Sequence, residues 1–467
     1  MDSLQAELLH IIAGHLSQTD IFYLILLSRR LYNILQEKLY AKVILYGRSS
    51  DEAARQVRSF YSAIFSTPAL ASYVHYLALG VWINANEGQA EIHGKPLSQI
   101  ASQFVSERNE YSETEKLSWL EALQRGDDSD PWIALLLPQM RELRKLSINW
   151  PDTSHHLMNL LRKLSMASEP CYPYLQEVYS GAYDGVESAT QSYYVDAFFR
   201  MPSVRKLGCY ALGEYFADPD DEDDLDEAEN NEPWSLISQK QDTLAFRCSN
   251  ITHLDLAEVN AGNGMQEWIM ACKALKSFRV NHSFSVAPQN EYQPRKLYEA
   301  LSAHKGTLES LWAEPDSGCK FDIDSEWMGN FSDYLALKTI CLPFPNLVGL
   351  NEQNIPIRRL VDVLPCSLKT IYLMLDDGST FMEAIMQLME LAECDDFPEM
   401  AALHLECSGV SSTYEMTKLE WLRQRCEATN KSFSVHFSKG WFYGLQKPTG
   451  WIFGPDNEAE RLGYLFH

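Results

Sequence analysis

One short pattern returns along the chain and limits what it can fold into. With Φ for an apolar residue, Φ-x-x-Φ-x-Φ occurs in full at Leu143/Leu146/Ile148, Ile251/Leu254/Leu256 and Leu275/Phe278/Val280. It recurs in full at Leu337/Ile340/Leu342, Leu368/Ile371/Leu373 and Met400/Leu403/Leu405. Partial copies stand at Leu77/Leu79, Leu175/Val178, Val204/Leu207, Leu308/Leu311 and Phe433/Val435/Phe437. The last two apolar residues of each copy alternate like a strand with one buried face. Central positions 146, 178, 207, 254, 278, 311, 340, 371, 403 and 435 are separated by 32, 29, 47, 24, 33, 29, 31, 32 and 32 residues. A period near thirty is that of stacked repeats. Ten returns favour a repeat array over an ordinary α/β fold of similar alternation.

Between the strands, His155–Met166, Gln191–Arg200, Arg295–His304, Phe381–Cys394 and Tyr414–Thr429 show the three- and four-residue spacing of helices. One strand and one helix per repeat resembles leucine-rich repeats of the long type. That resemblance implies an α/β solenoid with parallel strands inside and helices outside. The asparagine usual after the last Φ is missing: those positions hold Pro151, Val259, Ser283, Pro345, Asp376 and Ser408, so the array is expected to be irregular. The long step of 47 contains Glu214–Glu232, nineteen residues with eleven acids and no Lys or Arg, and its removal restores a step of 28. The run reads as a disordered insert in one repeat, either plainly solvated or able to hold a basic segment. Calcium suits it poorly, because the Gly and bidentate Glu of a calcium loop are not in order. A second loop-rich region, Asn84–Pro131, surrounds an expected helix at Pro96–Phe104. Residues 441–467 read as a cap over the open end of the array (46–440), or as an aromatic patch of Trp441, Phe442, Tyr443, Trp451 and Phe453.

The first forty residues differ in character. Leu4, Leu8, Ile11, Ile12 and Leu16 mark an amphipathic helix; Asp20 stands as N-cap of a second, IFYLILLSRR, apolar nearly all round. A third, Arg30–Tyr40, carries Leu31, Ile34, Leu35 and Leu39 on one face, and a strand follows at 41–45. Three short helices bury little by themselves, so the segment needs a partner in the chain or outside it. The order Leu4…Glu7-Leu8…Ile12…Leu16…Asp20-Ile21…Leu27-Ser28-Arg29…Leu31-Tyr32…Leu39-Tyr40 resembles an F-box over residues 1–45. Gln5, Ile21 and Leu31-Tyr32 depart from the proline, leucine and tryptophan usual there. The resemblance implies docking on Skp1 and, through it, a cullin. Leu4, Leu8, Ile12, Leu16, Ile21, Leu24 and Leu27 would then supply the F-box core and the Skp1-binding face. With the repeats it implies a substrate receptor of a ubiquitin ligase, of a type common in fungi. A scaffold or interaction protein outside that pathway is the alternative. No residue identifies the client.

Composition agrees with a cytoplasmic or nuclear binding protein. The net charge, 39 − 64 = −25 over 467 residues, gives no footprint for nucleic acid or an anionic membrane. The start lacks a basic, then apolar, leader, and the longest notable apolar run, Ile21–Leu27, is far too short to span a bilayer. Ten scattered cysteines form no CxxC motif and are expected to be reduced and buried. No HExxH, P-loop or GxSxG occurs, and Gly262-Asn263-Gly264 meets Glu267 where a dinucleotide loop needs glycine. Adjacent His155 and His156 cannot share a metal from one helix face. His253, His404 and His436 lie beside strand positions that could face an open sheet surface. The reading is of a non-catalytic protein with no metal and no cofactor.

Overall fold

A computed structural model describes residues 4–45, 50–80, 112–125, 129–150, 154–182, 194–213, 244–259, 265–282, 292–314, 326–375, 380–407 and 413–437, with a few isolated residues and pairs between them. The acidic run Glu214–Glu232 and the aromatic stretch 441–467 lie outside the described residues. Two compact units result, one within Met1–Tyr183 with Arg200–Val204, the other within Asp184–Phe199 with Arg205–Phe453. Both are α/β, with their long strands parallel.

The first unit opens with α1 (Ala6–Ala13), α2 (Gln18–Leu27) and α3 (Arg29–Tyr40). It continues through β1 (Lys42–Leu45), α4 (Ser50–Ser66), β2 (Tyr76–Leu79), α5 (Glu113–Arg125), α6 (Asp130–Leu136), β3 (Lys145–Trp150), α7 (His155–Met166) and β4 (Glu177–Ala182). Its strands pair in chain order and align Val43, Leu77, Leu146 and Val178 in one column. The helix expected from Pro96 does not start there: Pro96 pairs with Glu91 in a two-residue antiparallel ladder. The buried Asp130 carboxylate caps α7 across space, accepting from the Ser154 hydroxyl at 2.5 Å and the backbone N–H groups of His156 and Leu157 at 2.6 and 3.2 Å. This satisfies donors a helix start leaves unpaired.

The second unit runs β5 (Lys206–Tyr210), β6 (His253–Val259), α8 (Gln266–Ala271), β7 (Ser277–His282), α9 (Pro294–Leu301) and β8 (Ser310–Glu314). It goes on through β9 (Thr339–Pro343), β10 (Thr370–Leu375), α10 (Phe381–Glu393), β11 (Ala402–Cys407), α11 (Thr413–Ala428) and β12 (Ser432–Phe437). Register places Leu207, Leu254, Phe278, Leu311, Ile340, Ile371, Leu403 and Phe433 in a single column. All but Phe433 are fully buried. The last repeat therefore centres on Phe433 rather than Val435, a step of thirty from Leu403, because Val435 pairs with Leu405.

The strand order never reverses within this unit. Parallel crossovers are right-handed, so connecting helices that always advance in one direction all fall on one face of the sheet. The first Φ of each copy, Leu275, Leu308, Leu337 and Leu368, is buried beneath that layer. α10 and α11 start within one residue of their expected positions, and α9 continues as a 3-10 turn, Ser302–His304. The helix expected at Gln191–Arg200 is shorter, Asp196–Arg200, because Thr190–Gln191 is extended and pairs with Leu212–Gly213. Val259, where a repeat asparagine was absent, is the buried end of a bulged strand whose Glu258 takes a φ of 48°. No described helix is long and apolar enough to cross a membrane.

Two stability measurements follow. Ile371→Ala removes a fully buried column residue and should lower the unfolding free energy by about 2–5 kcal/mol. Leu335→Ala, at a side chain 71% exposed, should change it by less than about 0.5 kcal/mol in the same urea titration. Burial, together with the His155 and Arg125 charges, holds His156 down at about 4. His156 is therefore neutral in the fold while the unfolded chain takes up its proton near the ordinary 6.5. Its stabilising share is complete above that pH and is lost as pH falls through about 4. His156→Phe, which keeps a ring against Trp119, should flatten the stability loss between pH 7 and pH 4 by on the order of 3 kcal/mol.

Candidate functional site

The three N-terminal helices bury one small core. Leu9 and Ala13 of α1, Ile21 and Ile25 of α2, and Leu31 and Leu35 of α3 form it, with Leu4, Leu16, Leu24, Ile34 and Leu39 packed around it. α2 and α3 are each started by a local side-chain cap. Ser17, not Asp20, is the N-cap of α2: its hydroxyl accepts the Asp20 N–H at 3.1 Å, and the Asp20 carboxylate accepts the Ser17 N–H at 3.3 Å. Asp20 is thus the third helical residue of a capping box. The Ser28 hydroxyl accepts the Leu31 N–H at 3.2 Å and starts α3. The Gln18 amide donates to the carbonyls of Leu39 and Lys42 at 2.8 and 2.5 Å, and Arg30 donates to the Leu4 carbonyl. α3 leads into β1 through Ala41 alone, whose carbonyl accepts from His75 and Tyr76, each at 3.0 Å. The helices are thereby fixed to the first strands of their own unit.

This core divides the expected site residues. Ile21 lies inside it; Leu4, Leu16 and Leu24 are half-buried at its margin; Leu8, Ile12 and Leu27 are exposed. The apolar stripe of α1 is largely outward, since α3 packs on the Leu9–Ala13 side and leaves Leu8, Ile11 and Ile12 open. α2 is buried only through Ile21 and Ile25, so its remaining apolar faces stay open: Leu26 is 65% and Leu27 70% exposed, with Phe22 and Tyr23 beside them. Tyr32 of α3 is also exposed. The positions sequence reasoning did not place in the site are Ile11, Phe22, Tyr23, Leu26 and Tyr32. The all-round apolarity of α2 was the signal for three of them.

Scattered apolar residues on a surface need no explanation, but this density does. Burying a large side chain fully is worth about 1.5–3 kcal/mol, so eight partly exposed ones leave roughly 1 kcal/mol each unrealised. That total rivals the whole stability of an ordinary domain. Apolar anchors carried on short, internally packed helices are what a protein-docking surface requires.

A second group of side chains lies on the sheet face of the second unit opposite its helices, where Asp255, Trp312, Cys341 and Tyr372 are buried. Asp255, Arg279, Trp312, Cys341, Tyr372, His404 and Ser434 share one register row, each between two inward-facing residues of its strand. Asn281 and Glu314 pair in the next row on that face, as do Met374, Glu406 and His436. Arg279 lies 3.7 Å from the Asp255 carboxylate and 5.4 Å from the Trp312 ring centroid. Trp312 and Tyr372 approach at 5.2 Å across Cys341, and Tyr372 stacks on His404 at 4.2 Å and 9°. Ser434 links the two histidines, 2.6 Å from His404 Nδ1 and 2.8 Å from His436 Nε2. Burial and the neighbouring His436 hold His404 below its usual range, and burial does the same for His436. His253 stands one row earlier, its Nδ1 2.9 Å from the Thr252 hydroxyl.

Among the described residues no group of three or more His, Cys, Asp or Glu could hold a metal ion. Five described cysteines, 209, 272, 341, 407 and 426, are buried as expected, whereas Cys171, Cys248 and Cys394 are half-buried and Cys366 is exposed. No protein-family model matches the chain, and no curated protein matches it.

Leu35→Ala should speed amide exchange throughout α1–α3, because it opens a cavity in a core of few residues. Tyr23→Ser and Leu27→Ser should leave that exchange unchanged, as neither side chain supports the fold.

Proposed function

We propose that this chain is the non-catalytic substrate-recognition subunit of a Skp1–cullin–F-box ubiquitin ligase, acting in the cytoplasm or nucleus. The observation that carries the reading is the pair of open apolar strips on α1 and α2, supported on a separate, closed core. Leu8 and Ile12 of α1 and Leu27 of α2, taken from the F-box resemblance, stand on these strips. Ile21, Leu24, Leu4 and Leu16 hold the helices together. The parallel strands with their connecting helices are read as an irregular leucine-rich-repeat array that holds the client. Positioning, not bond chemistry, is the contribution: a client fixed beside a recruited conjugating enzyme gains effective concentration.

Co-purification of the full chain with Skp1 tests the reading. The wild type should retain Skp1 through washing. A Phe22→Asp/Leu26→Asp variant should lose it by about a hundredfold or more, since two charges would be forced into an apolar interface. Circular dichroism should show the same helix content in both. Failure of the wild type to bind, or equal binding by the variant, overturns the reading. Skp1 binding without cullin would point to an interaction scaffold instead.

A further inference from the structure

Arg279, Arg295, Arg359, Arg423 and Arg425 of the second unit each meet a carboxylate, at 2.6–3.7 Å. Arg358 does not. Among the described residues its guanidinium has only the face of Trp327, 3.6 Å from the ring centroid. Its neighbour Arg359 is held by Asp362 at 2.7 Å and Glu390 at 2.8 Å. Arg295 of α9 lies 5.5 Å from the same Trp327 centroid and is neutralised by Glu299 at 3.1 Å. The chain holds this stack in place. Asn346 clamps Trp327 from both sides: its side-chain amide donates to the Glu326 carbonyl and its own carbonyl accepts the Met328 N–H, each at 2.8 Å. Gly329 lies against the Tyr298 ring of α9, where a Cβ would stand 2.4 Å from ring carbons. Arg358 ends a hairpin, 349–358, in which the Ile357 N–H donates to the Gly349 carbonyl at 2.9 Å and the Asn351 N–H to the Ile355 carbonyl at 3.0 Å. Gly349 takes a φ of 63°, and a Cβ there would stand 3.0 Å from Arg358 Nη1 and 3.1 Å from Trp327 Cβ. The Arg358 carbonyl accepts from Gln387 of α10 at 3.1 Å. A half-buried guanidinium is thus fixed on a ring with its in-plane N–H fork unused.

We infer that Arg358 on Trp327 is a docking site for an acidic side chain of another protein, whose carboxylate the guanidinium fork receives. Shape is the first argument. A planar guanidinium matches the two oxygens of a carboxylate, and a stack on a ring removes the side-chain freedom that such a contact otherwise costs. Charge is the second. Glu299, Glu326 and Glu352 stand exposed on the three segments that meet here and would repel a polyphosphate, while a single carboxylate can be received beside Arg358 and Arg295. The hairpin itself is the third. It carries Ile355 and Ile357 at 52% and 59% exposure on an ordered turn in which the Asn351 side chain accepts from the N–H groups of Gln353 and Ile355 at 3.0 and 2.9 Å. Exposed isoleucines beside a fixed cation suit a peptide segment with an acidic residue next to an aliphatic one, and give a free inorganic anion nothing to touch. The site does not depend on the ubiquitin-ligase reading, and its test uses no Skp1; if that reading holds, the site would take an acidic residue of the client.

Random twelve-residue peptides displayed on phage, selected on the immobilised full chain and counter-selected on its Arg358→Gln variant, test the site. Enriched peptides should carry Asp or Glu beside an aliphatic residue. By fluorescence anisotropy the most enriched peptide should bind Arg358→Gln about tenfold more weakly than wild type, or worse, and Arg359→Gln within about twofold, because that guanidinium is already held by Asp362 and Glu390. Replacing the acid of the peptide by its amide should weaken binding to the wild type about as much as Arg358→Gln does. No enrichment, enrichment without an acid, or equal loss in the two arginine variants overturns the proposal. If Arg358→Gln shifts the urea midpoint, the amide peptide decides on the wild type: undiminished binding overturns it. Displacement of the peptide by millimolar inorganic phosphate would assign the fork to a small phosphate. A wild type that is dimeric and an Arg358→Gln variant that is monomeric would assign it to a second copy. Either result also overturns the proposal.

Discussion

From β6 to β11, successive strands of the second unit are tied together at the residue just before each strand begins. The carbonyls of Thr252, Lys276, Glu309, Lys338 and Lys369 each accept from two successive N–H groups of the neighbouring strand, at 2.7–3.1 Å. That shared acceptor sets the register, and register decides which side chains are buried, since a slip of one residue turns every side chain over. With the register fixed, Leu254, Phe278, Leu311, Ile340, Ile371 and Leu403 form one apolar column, and Asp255, Arg279, Trp312, Cys341, Tyr372 and His404 form another row on the opposite face. Three of the same positions form a charge group: Glu309 meets Lys338 at 2.7 Å and Lys276 at 3.5 Å. These exposed pairs add little stability; the backbone ties carry the alignment.

The N-terminal helices obey a different constraint. Their core holds six buried residues, too few to enclose helices as apolar as α2. The result is a module that is ordered by its caps and by Gln18 and Arg30, yet unfinished on its outside. Its direct run into β1 makes it an extension of the first strands rather than a bead on a linker. A partner bound there would be held at a fixed orientation to those strands, which is what a receptor that positions a client needs.

Much of the repeat structure was legible because Φ-x-x-Φ-x-Φ is itself a register signal. The buried column fell on the central Φ in every copy except the last, where Phe433 and Val435 are both apolar and the period alone could not choose. Helix ends at Met166, Glu393 and Ala428 came close to expectation because apolar spacing and polar breaks coincide there. The inward and outward faces of α1 were not legible, because Leu8, Leu9, Ile11 and Ile12 are all apolar and only the position of α3 separates them. Ser17 is hard to single out as the cap from sequence, since Asp20 offers the same chemistry three residues later. The ring ladder was half visible: His404 and His436 stood out as histidines, whereas Trp312 and Tyr372 emerge only when the residue between the last two Φ is read down successive repeats.

The open apolar side chains of α1 and α2 are proposed to be covered by another protein. Hydroxyl-radical footprinting of the full chain, alone and mixed with purified Skp1, tests it at the side chains themselves. Phe22, Tyr23, Leu26 and Tyr32 should oxidise readily in the chain alone. Skp1 should reduce labelling of Phe22, Tyr23 and Leu26 severalfold while exposed Leu335 and Ile357 are unaffected. Unchanged labelling of α2 at saturating Skp1 would contradict it.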